Sequence, residues 1–320
     1  MANQERRLRR AIPVVLVVAL MFQVSTLGQG QSGTHTVTCG PDKTIGQAIK
    51  TLKPGDTLLV SGECNENLTL GQEVERITLD GQGTAVIHGD SSANAVTILG
   101  RGITFRGFHV IGGAPQGIAV TDGASAVIDG NIVEFADRNG ITVFRNSSAD
   151  ILNNVVQNNP LAGIAVQYHS YARIGWYGPP TNRVAAPNTI EHNGTQGIQV
   201  YRGSSAQIFT NTIENNGSNG LLVDRNSQVE VGACTFSGNG VDAIGNAKDA
   251  IRAMRGSVLD LGTDASHATP TFDDDTNAGV AAGYAVSCAI GGAVDGRIGP
   301  LTGLLGPKQF TEGCIDSSQQ

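Results

Sequence analysis

Arginine recurs at a fixed offset along this sequence. Five residues after Gly117, Gly140, Gly163, Gly197 and Gly220 stand Asp122, Arg145, Tyr168, Arg202 and Arg225, and the file extends to Arg255. The position before it reads Thr121, Phe144, Gln167, Tyr201 and Asp224, and His169 follows Tyr168. Guanidinium and aromatic groups in one file suit an extended glycan, since rings stack on sugar faces and arginine grips a carboxylate or sulfate with two parallel donors. On that reading Arg145 and Arg202 neutralise a ligand carboxylate, Tyr168 or His169 moves a proton, and Tyr201 and Arg225 hold the ligand. The competing reading is a solvated ladder of arginines over aromatic neighbours, with Asp224 neutralising one of them. The enrichment in arginine is notable in a chain whose net charge is −7.

Two further groups carry chemistry-bearing residues. Seventeen residues after the glycine, allowing for one insertion, come Glu134, Gln157, Glu191 and Glu214, with His192 beside Glu191. Stacked strands would place Glu191 and Glu214 about 5 Å apart, near the spacing of a retaining glycosidase. Any outward glutamate repeated in stacked strands has that spacing, so an ordinary exposed residue is the favoured reading. The insertion itself falls within Gly175–Pro187, GWYGPPTNRVAAP, and holds the only tryptophan, Trp176, with Tyr177 and Arg183; Tyr171 and Arg173 precede it. Long loops on rigid scaffolds commonly carry binding. Trp176, Tyr177, Arg173 and Arg183 are therefore expected to contact a ligand.

The elements that must position these residues are legible in a repeat. Gly-Ile/Leu-x-Val returns at Gly117, Gly140, Gly163, Gly197 and Gly220 in steps of 23, 23, 34 and 23 residues. Within each unit three short runs alternate apolar with polar residues. The inward sets are Ile118/Val120, then Ala126/Ile128, then Val133, and their equivalents follow in later units. Such alternation is a strand with one buried face. Three strands in 23 residues leave no room for a crossover helix, and a fixed period means stacked units that bury a core only together. The expectation is an all-β, single-stranded parallel β-helix of eight to ten turns, which the resemblance given below implies to be right-handed. Asn131, Asn154, Asn188 and Asn211 fall in one column, followed by Cys234; this column is read as structural.

The ends read differently. MANQERRLRR is basic and Ala11 to Phe22 is an apolar run of 12 residues, too short to span a bilayer but of secretory length. Residues 1–30 are read as a signal segment, 31–56 as an N-terminal cap with a short helix from Thr44 to Lys53, 57–262 as the β-helix, and 263–320 as a C-terminal cap. Removal of residues 1–30 takes four Arg and one Glu and leaves a net charge of −10. That argues against nucleic acid and against a membrane partner beyond the signal segment; a secreted or extracytoplasmic monomer is expected. Five cysteines in an exported chain imply bridges at the ends, Cys39–Cys64 and Cys288–Cys314, with Cys234 a buried apolar residue. No Cys/His cluster suggests a metal. Calcium could meet oxygen ligands at Asp273-Asp274-Asp275, but consecutive loop aspartates are usually solvated, so no cofactor is expected.

The opening KTIGQAIKTLKPGDTLLV and the units typified by GIQVYRGSSAQIFTNTIENNG resemble the pectin-lyase-like superfamily of right-handed parallel β-helices over roughly Asp42 to Gly262. The resemblance implies a secreted protein that binds, and in many members processes, a polysaccharide. A lyase or epimerase acting on a uronic-acid chain fits the arginine file; a non-catalytic carbohydrate-binding or cell-surface β-helix is the alternative. The N-x-D, G-H-G and R-x-K signatures of polygalacturonases, and the D-P-H-D of mannuronan epimerases, are absent from the repeats.

Overall fold

The computed structural model describes residues 32–179, 182–240, 248–262, 275–311 and 313–319. The expected signal segment 1–30, and Asp273 and Asp274 of the acidic run, lie outside the described residues. The chain winds into a parallel β-helix of about 11 turns, against the eight to ten expected. Each coil contributes one strand to each of three faces, A, B and C. Apart from one two-stranded antiparallel hairpin, every described strand pairs in parallel with its counterpart one coil away.

On face A the register runs Ile118, Ile141, Ile164, Ile198, Leu221, Ile251, Val286. On face B it runs Ala126, Ala149, Ala172, Ala206, Val229, Leu259. On face C it runs Val133, Val156, Ile190, Ile213, Phe236. These inward residues form one continuous core along the axis. The recurring glycine has a steric cause. A Cβ at Gly140, Gly163 or Gly197 would lie 2.4–2.6 Å from the inward side chain of Val156, Ile190 or Ile213 and 2.8–2.9 Å from the next glycine's carbonyl. Face A starts where the chain crosses that side chain, and no larger residue fits.

Corners carry ladders of polar side chains. Asn154 accepts the Asn131 amide N–H at 2.9 Å and its side-chain NH2 at 3.0 Å, and Asn188 and Asn211 repeat the pattern. A second file that the sequence reading passed over, Asn159, Asn193, Asn216 and Asn239, does the same between faces C and A. Buried amides satisfied this fully fix each corner, because a slipped register would leave several of them unpaired.

At both ends the structure differs from the sequence reading. The helix is short, Ile45–Ala48 with a 3-10 turn Ile49–Thr51, and Thr44 is its N-cap. Glu66 accepts the Ile45 and Gly46 N–H groups at 2.6 and 3.0 Å. A strand Thr34–Thr38 inside the expected cap pairs with Thr57–Ser61 as the first layer of face B. Beyond Gly262 the coils continue: Ala278–Ala281, Tyr284–Ala289, Ala293–Asp295, Leu301–Gly303, Gly306–Phe310 and Ile315–Asp316 all stack in parallel. The 23-residue spacing is lost there, but the strands are not. Both expected disulfides are formed, and Cys234 is free and buried. Burial pushes the Cys234 thiol up to about 12.

Candidate functional site on face A

The arginine file begins one residue later than a strand position. Face A strands end at the aromatic position, as in Asn139–Phe144 and Ile198–Tyr201. Asp122, Arg145, Tyr168, Arg202, Arg225 and Arg255 are the next residue, each left-handed with φ of 48–60°. The residue after each is left-handed too: Gly123, Asn146, His169, Gly203, Asn226, Gly256. A non-glycine residue in that region costs roughly 1–2 kcal/mol, so something must hold six corners there. A serine ladder does. Ser147, Ser170, Ser204 and Ser257 accept N–H groups from the neighbouring coil at 3.2 Å, and Ser227 does so at 3.3 Å. The strained corner turns the file out beside face A instead of leaving it flat on the strand.

The result is a cleft of about 450 Å³ lined by Gln116, Arg138, Asn139, Phe144, Arg145, Gln167, Tyr168, Tyr201 and Arg202. The Arg202 guanidinium lies 4.4 Å from the Tyr168 ring centre and 5.1 Å from that of Tyr201, and Arg145 lies 5.1 Å from that of Phe144. Tyr201 donates its hydroxyl to Gln167 Oε1. Burial raises the Tyr201 phenol above its ordinary range, with Arg138 and Arg225 pulling the other way. Outward residues beneath, Ala119, Thr142 and Ala165, are small and covered, and Thr142 donates to Gln116 at 2.9 Å. None of the lining residues is a carboxylate. Among the described residues Arg138 and Arg202 form no ion pair, while Arg145 approaches Asp122 at 3.5 Å.

The structure thus brings together Arg145, Tyr168, Tyr201 and Arg202. His169 is not in the cleft: its ring turns toward Gly203, 3.0 Å from where a Cβ there would sit. Arg225 stands one coil beyond, 3.7 Å from Asp224, which Arg255 holds at 2.7 Å. Arg138, Gln116 and Asn139 were missed because they precede the repeated glycine. The signal was present: two residues before each glycine the file reads Pro115, Arg138, Leu161, Thr195 and Ser218, and only one of these is charged.

The insertion stands elsewhere. Trp176-Tyr177 and Val184-Ala185 pair antiparallel as a hairpin at the corner between faces B and C. Trp176 was expected to offer a sugar platform, but it is 3% exposed. Phe209 covers it at 5.7 Å, and Arg173 and Arg183 lie over its ring at 5.1 and 5.3 Å. Arg173 is bound by Asp150, and this hydrogen bond holds its pKa above the ordinary range. Tyr177 is 44% exposed. Arg173 and Tyr171 border a separate groove of about 500 Å³ on face B, with Ser125, Ser148 and Asp150. The two residue groups read together from sequence therefore occupy different faces. On face C, Glu134 accepts from Gln157 at 2.8 Å and pairs with His109 at 2.8 Å, while Glu191 meets His192 at 3.3 Å. That column behaves as paired surface residues.

Comparison with known proteins follows the fold. A family model described as periplasmic copper-binding protein (NosD) matches residues 104–250. The crystal structure of pectate lyase Pel9A superposes with a TM-score of 0.57 at 11% identity, covering 92% of this chain and 80% of that one. An alginate lyase from Paenibacillus sp. strain FPU-7 gives 0.49 at 17% identity, covering 88% and 99%. The A-module of mannuronan C-5 epimerase AlgE6 from Azotobacter vinelandii gives 0.42 at 15%, covering 90% and 89%. No curated protein sequence matches. Copper does not fit the described residues. Their one group of three candidate ligands is Cys39, Cys64 and Glu66, where the thiols are consumed in a disulfide and the carboxylate caps a helix. Inward columns, parallel register and the likeness to the pectate lyase agree: the chain has the right-handed parallel β-helix fold.

Proposed function

We propose that the face A cleft binds an extended uronic-acid polysaccharide outside the cytoplasm. The observation that carries this reading is the lining itself: three guanidinium groups, three aromatic rings and three amides, with no carboxylate, in a chain of net charge −7. Arg138 and Arg202, which form no ion pair among the described residues, suit ligand carboxylates, since charge-assisted pairs to arginine are stronger than neutral hydrogen bonds. Phe144, Tyr168 and Tyr201 offer stacking surfaces, and Gln116, Asn139 and Gln167 can read hydroxyls. The structural neighbours are named as a pectate lyase, an alginate lyase and a mannuronan epimerase, which supports the substrate class. The two disulfides and the periplasmic family name support an extracytoplasmic location.

Turnover would extend the same geometry. An arginine on the uronate carboxylate acidifies the C5 proton, and Tyr168 and Tyr201 are the cleft's proton-transfer groups. One observation favours binding without turnover. The Tyr201 hydroxyl already donates to Gln167 and burial raises its phenol further, so it is better suited to give a proton than to take one, and no carboxylate or imidazole is among the described residues that line the cleft. Incubation with polyuronates, followed at 235 nm for unsaturated ends and by NMR for C5 inversion, separates the two. Retention of a polyuronate with neither product supports the binding protein. Either product, lost in Tyr201→Phe, supports the enzyme. Failure to retain any polyuronate removes both.

A further inference from the structure

Face B carries relief of its own. Its outward file Ser125, Ser148, Tyr171, Ser205, Gln228 runs in unbroken parallel register, so one ring stands among smaller polar side chains. On one side of that ring lies the groove of about 500 Å³, which reaches from Arg173 past Asp150 and Ser148 to Gly102. On the other lies a second groove of about 330 Å³, over Ser205, Gln207, Glu230 and Asp260. Tyr171 lines both, so they meet at its ring. Coils rise about 4.8 Å each, close to one pyranose residue of an extended chain, so a glycan lying along face B meets roughly one coil per sugar.

The side chains around that ring are held in place. Tyr171 is 38% exposed, yet its hydroxyl donates to Gln207 Oε1 at 2.8 Å, and Gln207 in turn donates to Glu230 Oε2 at 2.8 Å. An exposed ring pinned in this way has already met part of the ordering cost of binding. In the larger groove Arg173 donates through Nε to Asp150 Oδ1 at 2.7 Å, through Nη2 to Asp150 Oδ2, and through Nη1 to the Gly178 carbonyl at 3.3 Å. The two side chains are 28% and 21% exposed, so the groove meets the lone pairs and N–H groups that these bonds leave over. A fixed donor–acceptor pair beside a fixed aromatic ring suits a sugar, which offers hydroxyls at its rim and an apolar face. A polyuronate does not fit. The one arginine among the described lining residues is neutralised by Asp150, and Glu230 and Asp260 add negative charge. Nor does an extended peptide, which joins an open sheet edge, because the strands beneath the channel are paired on both sides.

We infer that face B holds a second glycan site, for an uncharged, hydroxyl-rich chain, with the Tyr171 ring as its platform and the Asp150–Arg173 pair and Gln207 reading hydroxyls on either side. The inference rests on face B residues alone and stands whether or not the face A cleft binds a polyuronate.

Titration calorimetry with cellohexaose, mannohexaose and xylohexaose tests it. At least one of these neutral chains is expected to bind wild-type protein, with an affinity that a rise in salt leaves unchanged because no ionic contact is made. Tyr171→Ala should weaken that binding roughly tenfold, as for the loss of one stacked ring. Tyr171→Phe keeps the ring and should retain most of the affinity. Arg202→Ala, which alters the face A cleft, should bind the neutral chain as wild-type protein does. Failure of all three chains to bind, full affinity in Tyr171→Ala, an equal loss in Tyr171→Phe, or a loss in Arg202→Ala would overturn the face B site.

Discussion

Asn188 illustrates how single side chains hold this molecule. Fully buried, it accepts the Asn154 backbone and side-chain N–H groups at 2.9 Å and donates to Ile151 and Asn211 at 2.8 Å. Asn188→Ala strands these groups and should destabilise the fold by about 2–4 kcal/mol in urea unfolding, since each buried unmade partner costs about 1–3 kcal/mol. Asn146, exposed at a left-handed corner, should tolerate Gly with a change near zero. Cys234 interrupts the ladder, with its thiol pushed up to about 12 by burial. It should resist alkylation at pH 8 in the folded protein and react at once in denaturant. The sign for stability follows. The folded thiol keeps a proton that the unfolded one releases, so this contribution is complete below the ordinary thiol pKa and is lost as pH rises from there toward 12. Rapid alkylation of native protein would contradict the assigned burial.

Among the elements, the three strands and their inward columns were legible in the sequence because alternation and period are set by the backbone itself. Ile141, Ile151 and Val156 could stand nowhere else. The arginine file was legible as a file, but the sequence did not reveal that it occupies a left-handed corner. That placement depends on the serine at the seventh position closing onto the neighbouring coil. The grouping of side chains across faces was not legible at all. Trp176 has the residue type of a sugar platform, yet Phe209, Arg173 and Arg183 bury it from three sides, and a hairpin's lean is a tertiary property. The later coils, from Ala278 on, were missed because the step leading to them, 35 residues from Ile251 to Val286, breaks the 23-residue period. The hairpin should therefore show blue-shifted tryptophan emission, weak acrylamide quenching and no change on addition of a saturating polyuronate. A ligand-dependent shift would mean that the glycan reaches the corner between faces B and C.

The whole molecule sets an acidic background against a local basic cleft. Arg138, Arg145 and Arg202 converge on face A, whereas Arg173 is neutralised by Asp150 on face B, so the long-range field and the contact surface differ in sign. The fold supplies this contrast cheaply, since one residue position repeated at every coil becomes a line of charge along the axis. Ligand selection should follow the cleft and not the net charge: an anionic chain should bind this anionic protein. The sharpest test is calorimetric titration of wild-type protein and Arg202→Ala with a hexauronate and with its carboxyl-reduced counterpart. Wild-type protein is expected to bind the uronate and to lose most of that affinity for the reduced chain. Arg202→Ala should bind the uronate roughly tenfold to a hundredfold more weakly, as for the loss of a charge-assisted pair. Equal binding of the reduced chain, or unchanged affinity in Arg202→Ala, would contradict the assignment of face A as an anion-reading glycan cleft.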